Sequence, residues 1–383
     1  MTNLSEQIIN TIKEVKSDQF TLNQPCLQGN ESKYVQECLN TGWVSSAGSF
    51  VDKFESMLAE YTGSQYAIAV GNGTAALHTS LILADVKADD EVLIPALTFV
   101  ATANAVSYCG ANPHFVDCDE NSLGVNAKKL SAYLEEISEL KSDGLYNKNT
   151  GRKISALIPV HVFGHPADLD PLLEICNKYK IKMVEDATES LGSFYKEKHT
   201  GLFGQLSALS FNGNKILTTG GGGAILTNDK DLANKAKHLT TTAKKDHTWD
   251  YFHDAIGYNY RLPNINAALG CAQLEILPKI LIEKRKLAHQ YQEAFDKIDG
   301  LSLLVEPNYG KSNYWLNGIV LDKDQQQHRD EILNMTNKGH IQTRPIWTLL
   351  NKLPMYVDCE KMDLKISEGF EKRVINIPSS VNI

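Results

Sequence analysis

One lysine, Lys215, stands between a polar turn, Asn212-Gly213-Asn214, and a run of four glycines, Gly220 to Gly223. A lysine amine becomes a nucleophile toward carbonyl carbon when partial desolvation lowers its hold on a proton. Glycines beside it let the backbone come close to a bound molecule. A nucleotide-binding P-loop is excluded by the order, because there the glycines precede the lysine so that amides and ammonium converge on one phosphate.

Other residues offer complementary chemistry. Gly71-Asn72-Gly73-Thr74-Ala75-Ala76 joins an apolar run to a helical pattern and matches the spacing of a dinucleotide fingerprint. That fingerprint also needs an acid ending the next strand, whereas Asp89, Asp90 and Glu91 come before it. The broader reading is an anion held at a helix N-terminus by free N–H groups and the Thr74 hydroxyl. Glu185-Asp186 ends the run "IKMV". Acids at a strand end either cap it for solubility or pair with a heterocyclic cation. Phe99, just past "VLIPAL", either fills core or stacks on a flat ligand. His161 and His165 have the spacing of two metal ligands on a helix, but Gly164 and Pro166 oppose a helix there and no third ligand is near. They read as loop histidines lining a pocket, and no metal is expected. A nucleophilic lysine, an anion site, a cation-pairing carboxylate and a stacking ring together describe pyridoxal phosphate bound as a Schiff base.

The elements that would position these groups follow from periodicity. Seven short runs, "YAIAV", "EVLIPAL", "PHFVDCD", "ISALIPVHVFG", "IKMVEDAT", "LSALSFNG" and "GGAILTND", alternate with helical patterns at 74–84, 168–180 and 229–238. Several runs are apolar on both faces, as strands covered by helices must be. The expectation is an α/β fold with a mainly parallel seven-stranded sheet and active residues at strand ends. The polar stretch "EISELKSDGLYNKNTGRKIS" reads as a surface excursion. After "GYNYRLPNINAALG" a long charged helix is expected over 278–298, then a strand in "NYWLNGIVL" and a helix near Asp330. This places a large domain at 1–258, with a short N-terminal helix facing inward through Ile8, Ile9, Ile12 and Val15, and a smaller α+β domain at 259–383.

The 383 residues carry a formal charge of -8, which argues against nucleic acid or an anionic membrane as a general partner. No signal-peptide pattern and no run of bilayer-spanning length is evident, so the expected location is the cytoplasm. Seven scattered cysteines without a C-x-x-C pair suit a reducing compartment and read as buried thiols.

With these motifs in this order, the sequence resembles the DegT/DnrJ/EryC1/StrS family of pyridoxal-phosphate-dependent nucleotide-sugar aminotransferases, a branch of the aspartate-aminotransferase fold (fold type I). The likeness runs from "GNESKYVQECLNTGWVSSAGSF" through "AIAVGNGTAALH" to "TRPIWTLLNKLPMY". It implies that Lys215 bonds the cofactor and moves the proton, and that Asp186 pairs with the pyridinium nitrogen. Phe99 would stack on the ring; Gly73, Thr74, Ala75 and Ser210 would hold the phosphate; Asn259 would reach the same phosphate from a neighbouring subunit. A homodimer with shared active sites is thereby implied. Glu189 stands where the family commonly has glutamine or histidine beside the cofactor's 3′ oxygen, and Gly221 replaces a glutamate found in relatives that make 4-amino sugars. Lys215, rather than the histidine of dehydrating members, implies transamination. "SFNGNKILTTGGGG", "EDATESLGSFY" and "RPIWTLLNKLP" look most like the legionaminic-acid-pathway type. That likeness implies glutamate as donor and a UDP-linked 2-acetamido-4-keto-6-deoxyhexose as acceptor. A GDP-linked 4-keto sugar or amination at C3 is the alternative; a regulatory protein keeping the fold and an NAD-dependent sugar dehydrogenase are the rivals from other classes. His165, Asn212, Arg344 and Trp347 are the candidate sugar-nucleotide contacts.

Overall fold

The computed structural model describes residues 3–383. All seven expected strands form and lie side by side in the order Tyr66–Val70, Gly223–Thr227, Leu206–Ser210, Lys182–Asp186, Lys153–Leu157, Glu91–Pro95, Asn112–Val116. The pairings from Leu206–Ser210 to Asn112–Val116 are parallel, while Gly223–Thr227 runs antiparallel to both its neighbours. Helices cover the sheet, which is why Glu91–Pro95 and Gly223–Thr227 are buried at every position and read as continuous apolar runs. Because Tyr66–Val70, Leu206–Ser210 and Lys182–Asp186 point the same way, their C-terminal ends share one edge, where α/β sheets place ligands.

The helix Gly73–Leu83 begins two residues after its strand and is capped by Asn72, whose side chain accepts from the Ala75 amide. It is buried on nearly all sides, under the sheet and beneath its neighbouring helix. The expected surface excursion is instead a β-hairpin, Ser138–Lys141 and Gly144–Asn147, that adds to the sheet beside Lys153–Leu157. Its polar composition hid the strands. What anchors it is distant in sequence: the Asn147 amide and Thr150 hydroxyl both bond the buried Glu91 carboxylate, which also holds His114.

The second correction concerns the domain division. The long helix starts at Asn264, not 278, and runs unbroken to Phe295 with Pro278 inside it. Its first half packs with Phe50, Phe54 and Leu58 of the large domain, and its second half, through Leu287, Tyr291 and Phe295, enters the small-domain core. The boundary therefore falls inside one helix. Residues 259–262 belong with the large domain, since Leu262 N–H donates to the Ala69 carbonyl and Val70 bridges Arg261. Conversely, the helix Leu4–Val15 buries Ile8 and Ile12 in the small-domain core. The small domain is built on a four-stranded sheet, Leu301–Leu303, Asn317–Leu321, Val374–Ile377 and Arg344–Pro345, with the helix Arg329–Lys338 beside it.

At 32 residues the helix Asn264–Phe295 is long enough, and over one stretch apolar enough, to cross a bilayer, which the sequence reading did not anticipate. More than half of that stretch is buried against the rest of the protein, so its apolar length is used as core. All seven cysteines are free; Cys109 and Cys359 are half-buried and the other five are buried.

Candidate active site

A cavity of about 550 Å³ opens at the shared strand edge, between the large-domain sheet and the segment carrying Arg344 and Trp347. Its walls include Gly73, Thr74, Phe99, Asp186, Glu189, Ser210, Asn212 and Lys215. A larger, more polar groove of about 680 Å³ near Glu120, Glu306 and Arg373 contains none of these groups.

Asp186 lies at the floor, 3 % exposed. Thr102 Oγ1 donates to Oδ2 at 2.7 Å, and Thr188 donates to Oδ1 through its hydroxyl at 2.7 Å and its amide at 3.2 Å. No Lys, Arg or His of the described residues forms an ion pair with it. A buried carboxylate held by hydroxyls and lacking a cation is the complement of a heterocyclic cation. Beneath it, Glu185 is fully buried and plays a separate part: it accepts from the amides of Gly201, Phe203 and Gly204 and from His161 Nε2. Burial alone would raise its pKa, yet His161 and these amides hold it below the ordinary carboxylate range. Ala167 N–H donates to His161 Nδ1, which leaves the Nε2 proton for Glu185. His161 is thus a structural residue.

At the helix N-terminus the amides of Gly73 and Thr74 and the hydroxyls of Thr74 and Ser210 face the cavity without a protein partner, an arrangement suited to a phosphate. The approach is close: a Cβ on Gly73 would lie 2.9 Å from Ser210 Cβ and 3.0 Å from Thr188 Cγ2. One glycine of the run is explained by close packing as well. A Cβ on Gly223 would lie 2.5 Å from the Asn72 carbonyl carbon, so this glycine lets its strand press against the turn that starts the helix. Gly221 has no such constraint, its nearest neighbour being the Gly71 carbonyl oxygen at 3.9 Å. Ala75 is a correction: its amide is taken by Asn72 Oδ1 at 2.8 Å.

Lys215 lines the same cavity as Asp186. Its Nζ donates to Glu189 Oε1 at 3.3 Å and lies 3.9 Å from the centre of the Trp315 ring. Glu189 is almost fully buried, and its other oxygen accepts from the Phe163 amide at 2.8 Å. Burial raises its pKa, and the Lys215 ammonium only partly offsets this. Phe163, at φ 56°, adopts a left-handed conformation rare for its type, and its ring packs on Trp347 at 4.9 Å.

Phe99 is 53 % exposed on the cavity rim. Arg344 is exposed beside it and donates to Asn337 Oδ1 and the Thr343 carbonyl. His165 departs from expectation: it is 2 % exposed, edge-on to Tyr314, with neither ring nitrogen bonded, and lies outside the cavity wall. Asn259 is exposed on the surface, where it bridges Thr241, and does not reach this cavity. The sequence reading missed Thr102, Thr188 and Trp315. Thr188, two residues beyond Asp186, carries a local signal, since side chains so spaced form compact turns; Thr102 and Trp315 carry none.

Residues 25–383 match the family described as the DegT/DnrJ/EryC1/StrS aminotransferase family. The chain belongs to that family. Among its relatives are the GDP-perosamine synthase of Escherichia coli O157:H7, 37% identical with 93% of this chain and 92% of the relative aligned, and that of Caulobacter vibrioides, 35% identical with 94% and 92% aligned. A similar solved structure is PseC of Helicobacter pylori, described as an aminotransferase involved in the biosynthesis of pseudoaminic acid, with TM-score 0.85, 26% identity and 94% of each chain covered. The protein is accordingly a pyridoxal-phosphate-dependent sugar aminotransferase of fold type I. The family expectation holds at that level; the relatives named include GDP-perosamine synthases and EpsN of Bacillus subtilis, and do not single out the legionaminic-acid-pathway type.

Proposed function

We propose that this aminotransferase moves an amino group from glutamate to C4 of a GDP-linked 4-keto-6-deoxy sugar. The observation that carries the choice of nucleotide is the naming of relatives aligned end to end at 35% and 37% identity as GDP-perosamine synthases. The observation that carries the chemistry is the cavity itself, lined both by a lysine and by a buried carboxylate that has no cation among the described residues.

Bound pyridoxal phosphate supplies the electron sink and carries nitrogen between donor and acceptor. The chain's residues do the rest. Gly73, Thr74 and Ser210 hold the phosphate, and Phe99 covers one face of the ring. Asp186, oriented by Thr102 and Thr188, would pair with the ring N–H. Lys215 Nζ would take the proton from the donor's Cα and return it to the carbon on the far side of the bridging nitrogen, a transfer worth roughly 10²–10⁴ in rate. Glu189 and Trp315 hold that amine over the cavity and keep water from it. Arg344 and Trp347 at the mouth offer a cation for a diphosphate and a ring for a base. Asn259 of the partner subunit completes the phosphate site in a homodimer.

The test supplies glutamate with either a GDP-linked 4-keto-6-deoxyhexose or a UDP-linked 2-acetamido-4-keto-6-deoxyhexose and measures 2-oxoglutarate and the amino sugar by mass. The GDP-linked sugar should be aminated with the higher kcat/KM, and Lys215→Ala should abolish turnover. Preference for the UDP-linked sugar would return the nucleotide assignment to the alternative.

A further inference from the structure

The long helix Asn264–Phe295 carries a lysine that the chemistry above does not use. Lys284 is 1 % exposed and has no carboxylate partner, whereas Arg261 and Arg285 are paired with Glu55 and Glu306. Its Nζ donates to three oxygens: Asn23 Oδ1 at 2.5 Å, the Ser379 carbonyl at 2.6 Å and the Trp315 carbonyl at 2.9 Å. Three acceptors match the three N–H bonds of an ammonium and exceed the two of a neutral amine.

Two of the three contacts converge on the catalytic turn. Asn23 Nδ2 donates to the Asn214 carbonyl at 2.7 Å and to the Lys215 carbonyl at 3.3 Å. Trp315 Nε1 donates to the same Asn214 carbonyl at 2.6 Å, and its ring is the one over which Lys215 Nζ sits. An ammonium only donates, so it fixes the Asn23 amide with oxygen inward and NH₂ toward the turn. It likewise anchors the backbone that presents the indole. We propose that Lys284 is a positioning residue, setting the place of the Lys215 amine through Asn23 and Trp315. The proposal rests on Lys215 being the lysine that bonds the cofactor.

Burial lowers the pKa of Lys284 to about 7, with the nearby Lys16 ammonium adding to the effect. Lys16, on the N-terminal side, donates to the Ser380 carbonyl; Arg285 and Glu306 neutralise one another beside it; Lys215 lies across the Trp315 ring. Segments 313–316 and 378–380 each give it one carbonyl oxygen, of Trp315 and of Ser379. The three-bond support is complete below about pH 7 and loses one donor above it.

Holoenzyme is examined as the parent, Lys284→Met and Asn23→Ala. The readouts are the pH dependence of the cofactor's visible absorption, borohydride trapping of the modified peptide, and kcat and KM for both substrates. The parent spectrum should show an inflection near pH 7 that both variants lose or displace. In each variant kcat should fall roughly ten- to a hundredfold, the scale set by small misplacements of a reacting group, with KM for the sugar unchanged. The double variant should lose less than the product of the two single effects, because the two residues share the Asn23 route. Folded variants whose spectra, pH profile and kcat equal the parent's would overturn the proposal; if Lys284→Met does not fold, Asn23→Ala decides alone. Trapping at a residue other than Lys215 would overturn instead the reading on which the proposal rests.

Discussion

At the residue scale, one buried histidine shows how environment decides what a side chain does. His165 was a candidate for the sugar site from its motif, but burial lowers its pKa from 6.5 to about 4, against a small opposing pull from Glu306. A histidine whose folded-state pKa is depressed contributes stability that is complete above pH 6.5 and is lost as pH falls through about 4. The 2.5-unit difference corresponds to about 3 kcal/mol. His165→Phe, which keeps a ring against Tyr314, should therefore lose about 3 kcal/mol less than the parent between pH 6.5 and 4, measured by urea unfolding across that range. Equal acid sensitivity in both proteins would exclude His165 as the cause. Asp186 is the opposite case: its type and place at a strand end pointed to a ligand, and its two threonine partners leave it just such a vacancy of charge.

At the element scale, the glycine run and the helix it faces act as one unit. Gly223 lies against the Asn72–Gly73 peptide, so the strand and the phosphate-facing helix start can approach only where no Cβ intervenes. Gly223→Ala should destabilise the protein by about 1–3 kcal/mol and weaken cofactor retention on gel filtration. Gly221→Ala, whose Cβ meets nothing closer than 3.9 Å, should do neither. If both variants behave alike, close packing is not the reason for the run. The seven sheet strands could be read from the sequence because burial on both faces leaves continuous apolar runs. The hairpin 138–147 and the first half of the long helix could not. The hairpin is polar and held by a distant carboxylate; the helix passes through two cores, and a proline inside it looked like a start.

At the scale of the whole molecule, the exposed side chains Trp249, Tyr251, Phe252 and Ile256 precede Asn259, which is also exposed. That grouping is the surface through which the proposed homodimer would form. Mixing and reannealing Lys215→Ala with Asn259→Asp should regenerate one intact site in each hybrid, and hence roughly a quarter of parental activity. Activity no greater than the sum of the two separate variants would place Asn259 outside the site.

The sequence by itself determined the inventory of chemistry and the layered α/β plan: Lys215, Asp186, Phe99 and the Gly73-Thr74 turn all line one cavity. Apolar periodicity and turn residues are local, and they record which faces are buried and where the chain reverses. Only the tertiary structure decided which groups meet across the chain. It brought Thr102 to Asp186, Trp315 to Lys215, and Lys284 through Asn23 to the Lys215 turn, and it withdrew His165 from this cavity. Such contacts join residues remote in sequence, and their partners are chosen by how the sheet, the spanning helix and the small domain pack. No short stretch of the chain contains that information.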